Sequence, residues 1–99
     1  MGRRLELQEL LLTFAEHVYF QPPESMVMQY PCIVYHRDDV NTEYADDKPY
    51  KSRKRYQVTI IDRDPDSQIP DQIRSLPLCS FDRFFTADNL NHDVYTLFF

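Results

Sequence analysis

The chain has 99 residues, a formal net charge of −5, two cysteines, no tryptophan and one glycine, Gly2. With no glycine from Arg3 to Phe99, it cannot encode a phosphate-cradling loop, a dinucleotide fingerprint, a G-x-S-x-G nucleophile elbow or an EF-hand calcium loop. Seven Tyr and seven Phe exclude a solvated tail, and the acidic balance argues against wrapping DNA, which draws on clustered Lys and Arg.

Residues 1–99 read as one domain, long enough to bury roughly 60–70% of its unfolded surface without staples. The first predicted element is a helix over 3–16. Leu7, Leu10, Leu11, Phe14 and Val18 recur at three- and four-residue steps and make one apolar stripe. His17 is expected to close that helix, where an imidazolium meets the negative end of the dipole. Val18-Tyr19-Phe20 is a short strand, cut off by Gln21-Pro22-Pro23. Tyr30 to His36 is a β-branched and aromatic run, hence a strand, with Ile33 and Tyr35 on one side and Cys32 and Val34 on the other. Both sides are apolar, so this strand is expected to be central and covered on both faces.

The next segment is unusual. Residues 38–47 hold five acids and no base; residues 48–55 hold five bases and no acid. Tyr56 to Ile61 is then a strong strand. Residues 30–62 therefore read as two long antiparallel strands joined by a protruding arm, acidic on the way out and basic on the way back. Asp62 to Ser67 is a turn, and Asp66 or Ser67 is expected to cap a second helix over 67–75. Pro70 sits in its tolerated first turn and Pro77 stops it. Ile69, Ile73 and Leu76 make its buried stripe. Leu78 to Thr86 and His92 to Phe99 are two more strands. Their link, Ala87-Asp88-Asn89-Leu90-Asn91, must turn without glycine, and Asn and Asp are the residue types that best tolerate left-handed backbone angles. The order α-β-β-β-α-β-β predicts an α+β domain: a mostly antiparallel sheet with helices on one face and a long charged β-hairpin arm.

Few residues suggest catalysis. Cys32 and Cys79 lie in apolar runs and are expected to be buried, reduced thiols. No local motif pairs either with His17, His36 or His92. Asp62, Asp64 and Asp66 resemble the start of a calcium loop, but the glycine and the bidentate Glu are missing and Pro65 intrudes; turn formation and helix capping account for them. Asp82, Asp88 and Asp93 form no distinctive carboxylate pair. His92 and Asp93 are adjacent on a strand and so point to opposite faces. No two histidines have metal-ligand spacing. No catalytic, cofactor-binding or metal residue is assigned, and no enzyme activity is expected. Glu6, Gln8 and Glu9 interrupt the N-terminal leucines, against a signal peptide, and no stretch approaches the roughly 20 apolar residues of a membrane span.

The arm has two functional readings. Lys48, Lys51, Arg53, Lys54 and Arg55, interleaved with tyrosines, can contact phosphate and stack on bases. Alternatively these cations meet the acidic limb of a neighbouring copy, Asp46 and Asp47 included. The preceding acids partly cancel the field, which favours assembly over nucleic acid; a plain solvated hairpin is the simplest alternative to both. The run VYTLFF must be buried, in its own sheet or against another subunit, and makes Phe98 and Phe99 a second assembly candidate.

The stretches YPCIVYHRDDVNTEYADDKPY, KRYQVTIIDRDPDSQIP and FDRFFTADNLNHDVYTLFF resemble small tail-completion proteins of siphophages and their prophages, of the tail-terminator type. The resemblance covers residues 17–99. It implies a small α+β domain in a hexameric ring that caps the tail tube, ends its polymerisation and offers a docking face to the head–tail connector. It implies DNA passing through without specific binding, a virion location after assembly in the bacterial cytoplasm, and no cofactor. A hexamer would carry about −30, and like charge discourages DNA from sticking. Related alternatives are a head-side connector or stopper protein of the phage neck, or a small nucleic-acid-binding regulator.

Overall fold

The computed structural model describes residues 3–45 and 48–99, and the side chains of residues 4–38 and 54–99. The elements follow the order α1 (Arg3–Leu12), β1 (His17–Phe20), β2 (Cys32–Ala45), β3 (Lys48–Asp62), α2 (Ile69–Arg74), β4 (Cys79–Ala87) and β5 (Leu90–Phe98). The five strands form one sheet in the order β1-β2-β3-β5-β4. Only β1 and β2 run parallel; the other three pairings are antiparallel. The fold is α+β, as the sequence predicts.

Helix α1 is built from Leu, Glu, Gln and Arg, residues that lose little side-chain freedom in a helix. It buries Leu7 and Leu11 completely, with Leu10 and Phe14 packed against the same core. The helix ends earlier than the apolar stripe suggests. Thr13 N–H donates to Leu10 O and Phe14 N–H to Leu11 O, tightening the last turn, and the Thr13 hydroxyl also donates to Leu10 O at 2.6 Å. His17 consequently opens β1 and does not cap a helix.

The core lies on one face of the sheet. Ile33, Tyr35, Tyr56, Val58, Ile60, Tyr95 and Leu97 alternate along β2, β3 and β5 and meet Leu7, Leu11 and Ala15 on one side and Ile73 of α2 on the other. Both helices therefore cover the same face. Fully burying a Leu or Ile side chain contributes roughly 1.5–3 kcal/mol, so this cluster dominates the stability. Strand β2 is interior, between β1 and β3, with Cys32 buried and Val34 half-buried on the second face.

The aspartate turn is a local hydrogen-bond device. Asp62 Oδ1 accepts from Asp64 N–H at 3.0 Å and Asp64 Oδ1 from Asp66 N–H at 2.9 Å. Helix α2 then starts at Ile69, later than expected. Its N-cap position is Gln68, which makes no side-chain cap; Ser67 Oγ instead accepts from Ile69 N–H at 3.3 Å. The helix stops at Arg74, three residues before Pro77. Between β4 and β5 only Asp88 and Asn89 turn the chain, at φ 53° and 61°. Two successive left-handed residues are what a type I′ hairpin turn requires.

Candidate interaction surface

The arm is a continuation of the β2/β3 ladder past the rest of the sheet. Strand β1 stops at Phe20, opposite Tyr35, and β5 stops at Phe98, opposite Arg55. The β2/β3 register continues alone from Val40↔Lys54 to Ala45↔Lys48. Six residues of β2 and seven of β3 project roughly 20–25 Å at about 3.3 Å each. The molecule is accordingly 50 Å long and 25 by 22 Å across.

The register brings acid to base within one hairpin. Asp39 is opposite Arg55, and Glu43 is opposite Lys51. Arg53 is opposite Asn41, Lys54 opposite Val40 and Lys48 opposite Ala45. A bulge at Asp38, where the ladder leaves the body, aims that carboxylate at Arg55, whose Nε donates to Asp38 Oδ1 at 2.8 Å. Asp46 and Asp47 lie outside the described residues, as do the side chains of Lys48, Lys51 and Arg53.

The two groups singled out from the sequence converge at the root of this arm. Phe98 pairs with Arg55, and Phe99 N–H donates to Lys54 O at 3.0 Å. Phe98 and Phe99 are half-buried in their own protomer and, with Leu10, Leu76, Leu78 and Leu97, line an apolar cleft of about 220 Å³. Phe98 N–H reaches across to Leu78 O at 3.1 Å, and Leu78 is held at φ 60°. A bulky residue in that region is strained by about 1–2 kcal/mol.

Beside the arm's root is a second cleft, of about 290 Å³, lined by Arg4, Phe20, Gln21, Arg37, Lys54 and Tyr56. It holds three cations and no carboxylate. Arg4 is fixed there by its guanidinium 4.6 Å from the Phe20 ring centre and by Nη1 donating to the Tyr35 hydroxyl at 3.5 Å. The Tyr35 hydroxyl in turn donates to Gln8 Oε1. Burial, partly offset by Arg4, pushes the Tyr35 hydroxyl pKa up, so it stays a neutral donor. Arg4 and Arg37 were not singled out by sequence; Arg4 comes from the first turn of α1, and only the fold sets it beside β2 and β3.

The sequence reading also missed the exposed aromatic edge. Strand β4 is the last strand of the sheet, and all its residues but Cys79 are exposed. Phe81 is 53% exposed, Phe84 51% and Phe85 39%. A bulge at Asp82 breaks the alternation. Phe81 therefore lies opposite Tyr95 and Phe84 opposite Asp93 on the helix-bearing face, while Phe85 stacks on His92 on the other, 4.5 Å between ring centres. The spacing F-x-x-F-F was the available signal, since it fits no regular strand with one buried face.

The remaining candidates carry structural roles. Cys32 and Cys79 are free thiols. Burial, with a smaller contribution from Asp62, pushes Cys32 up to about 11, and burial also raises Cys79. Both are neutral near pH 7, which makes them poor nucleophiles. Cys79 is only half-buried, less than expected, because it stands on the edge strand. Among the described residues no group of three or more His, Cys, Asp or Glu is placed to hold a metal, and no helix is long and apolar enough to cross a membrane. No family model, curated protein or solved structure matches the chain.

Proposed function

We propose that this chain is a structural virion protein of the tail-terminator type: a ring-forming subunit that caps a phage tail tube, ends its polymerisation and provides the head-docking surface around a DNA conduit. The observation that carries the reading is the arm and its root. A paired two-strand arm, roughly 20–25 Å long, leaves the body where Lys54, Arg55, Phe98 and Phe99 meet. Such an arm is long enough to lie on an adjacent subunit, and the basic cleft at its root suits a neighbour's carboxylates. The sequence resemblance supplies the location in the virion, and the α+β fold agrees with what that resemblance implies. The partners under this reading are further copies of the chain, in a hexamer, the tail tube protein and the head–tail connector.

The cross-strand order of the arm disfavours a nucleic-acid-binding regulator. Asp39 and Glu43 stand opposite Arg55 and Lys51, so acids accompany the bases that phosphate would need. Electron microscopy of particles lacking the protein tests the reading. Free heads beside abnormally long tails are expected. Tails of normal length on DNA-filled heads overturn it, and normal-length free tails beside heads that leak DNA assign the protein to the connector instead.

A further inference from the structure

The two edges of the sheet are finished differently. Strand β1 has four residues, Pro22-Pro23 follows it closely, and Gln8 Nε2 donates to Val18 O at 3.3 Å. Short length, proline and a helix side chain are standard ways of closing an edge. Strand β4 has nine residues and no proline within it, with Phe81, Phe84 and Phe85 exposed along its length. Its own edge devices are the bulge and the Asp82–Arg83 charges at its centre, so it is a template for a strand that matches that bulge and those charges.

We propose that β4 pairs antiparallel with β4 of a second copy about a two-fold axis between Asp82 and Arg83. Opposed residues in a sheet must project to the same face. In an unbroken strand, self-pairing satisfies this only when the axis passes through a residue or between positions two apart. The bulge at Asp82 shifts the alternation by one residue, so pairing one half of β4 with the other half demands an axis between neighbouring residues. With the axis between 82 and 83, Phe81 faces Phe84 of the second copy on the helix-bearing side. Ser80 faces Phe85 on the other side, and residues 79–86 all overlap. The same register puts Asp82 opposite Arg83 of the second copy and Arg83 opposite its Asp82. The pair that closes within one strand at 3.0 Å thereby becomes a four-charge cluster of alternating sign.

Of the two strands that end the five-stranded sheet, β1 is closed and β4 is not, and the adjacent opposite charges of Asp82 and Arg83 make a second β4 the complementary occupant. The contact is isologous, joining two copies and then ending. It is therefore distinct from the head-to-tail contacts that close a ring, and it stands or falls separately from the tail-terminator reading.

Sedimentation velocity of the full chain, from about 1 μM to about 1 mM, tests it. The expected result is an even-numbered assembly whose mass halves in Phe84→Lys, with a dissociation constant raised at least about tenfold. Phe84 is half-exposed in the protomer, so an unchanged far-UV spectrum checks the fold. Charge swapping gives an independent arm: Asp82→Arg alone weakens the pairing, and Asp82→Arg with Arg83→Asp restores it. A monomer throughout the range, a mass unchanged in Phe84→Lys, or a double swap no better than the single one overturns the proposal.

Discussion

The molecule contains two hairpins of opposite character. In β4/β5 the strands are joined by two residues, Asp88 and Asn89, and the ladder ends where the turn begins. In β2/β3 the inner half carries Ile33, Tyr35, Val58 and Ile60 into the core, while the outer half continues alone, with Glu43 opposite Lys51 but Arg53, Lys54 and Lys48 opposite uncharged residues. Register information resides at opposite ends of the two hairpins. The short hairpin is positioned by backbone chemistry at its tip. The long one is positioned at its base, where a one-residue slip would turn its core residues to the other face.

The largest effect is expected at the base of the long hairpin. Ile60→Ala should cost about 2–5 kcal/mol in chemical denaturation, because Ile60 is fully buried in the core cluster to which both helices contribute. A loss comparable to a surface substitution would show that the core does not hold the register. The next largest effect belongs to the tip of the short hairpin. Asn89→Val places a β-branched residue at φ 61° and should cost about 1–2 kcal/mol, while Asn89→Gly should be neutral or better.

A subtler test concerns Asp93 on β5. Burial, and then Asp71, raises its carboxyl above the ordinary 3.8, with His92 opposing. The folded chain holds this proton more tightly than the unfolded one. Stability from this group therefore increases as pH falls through the raised value and declines as pH rises past it. Asp93→Asn should flatten the stability profile just above the ordinary carboxylate range, as read by urea melts across that range. The smallest effect belongs to the arm's root: Asp38→Ala removes the Arg55 ion pair, whose partners are 38% and 32% exposed, and should cost about 0–1 kcal/mol, less at high salt. A cost above about 2 kcal/mol would make that pair part of the body's stability and not of the arm.

Much of the fold was legible because its signals are local. The period of Leu7, Leu10, Leu11 and Phe14 marks α1, the alternation of Tyr56, Val58 and Ile60 marks β3, and the absence of glycine points to Asn and Asp within residues 87–91 for the turn, which the structure narrows to Asp88 and Asn89. The boundaries that shifted did so through single hydrogen bonds. Thr13 closing onto Leu10 shortens α1, and Ser67 meeting Ile69 N–H begins α2 later. Of the candidate surface, the charge blocks at 38–55 and the two terminal phenylalanines were visible as composition. Their meeting at Lys54 and Arg55 was not, because residues more than forty positions apart are joined only by the β3/β5 register.

By itself, then, the amino-acid sequence determined the element types, the α+β class, the glycine-free turn and the presence of an arm with opposed charge, since each depends on spacing within a few residues. Tertiary structure alone decided which strand became an edge. It also set β1 parallel to β2, gathered Arg4, Arg37 and Lys54 into one basic cleft, and left Phe81, Phe84 and Phe85 uncovered. The physical reason is that edge or interior is a property of strand order. Strand order follows from how the helices cover one face, and no local pattern along β4 records which side its neighbour will take.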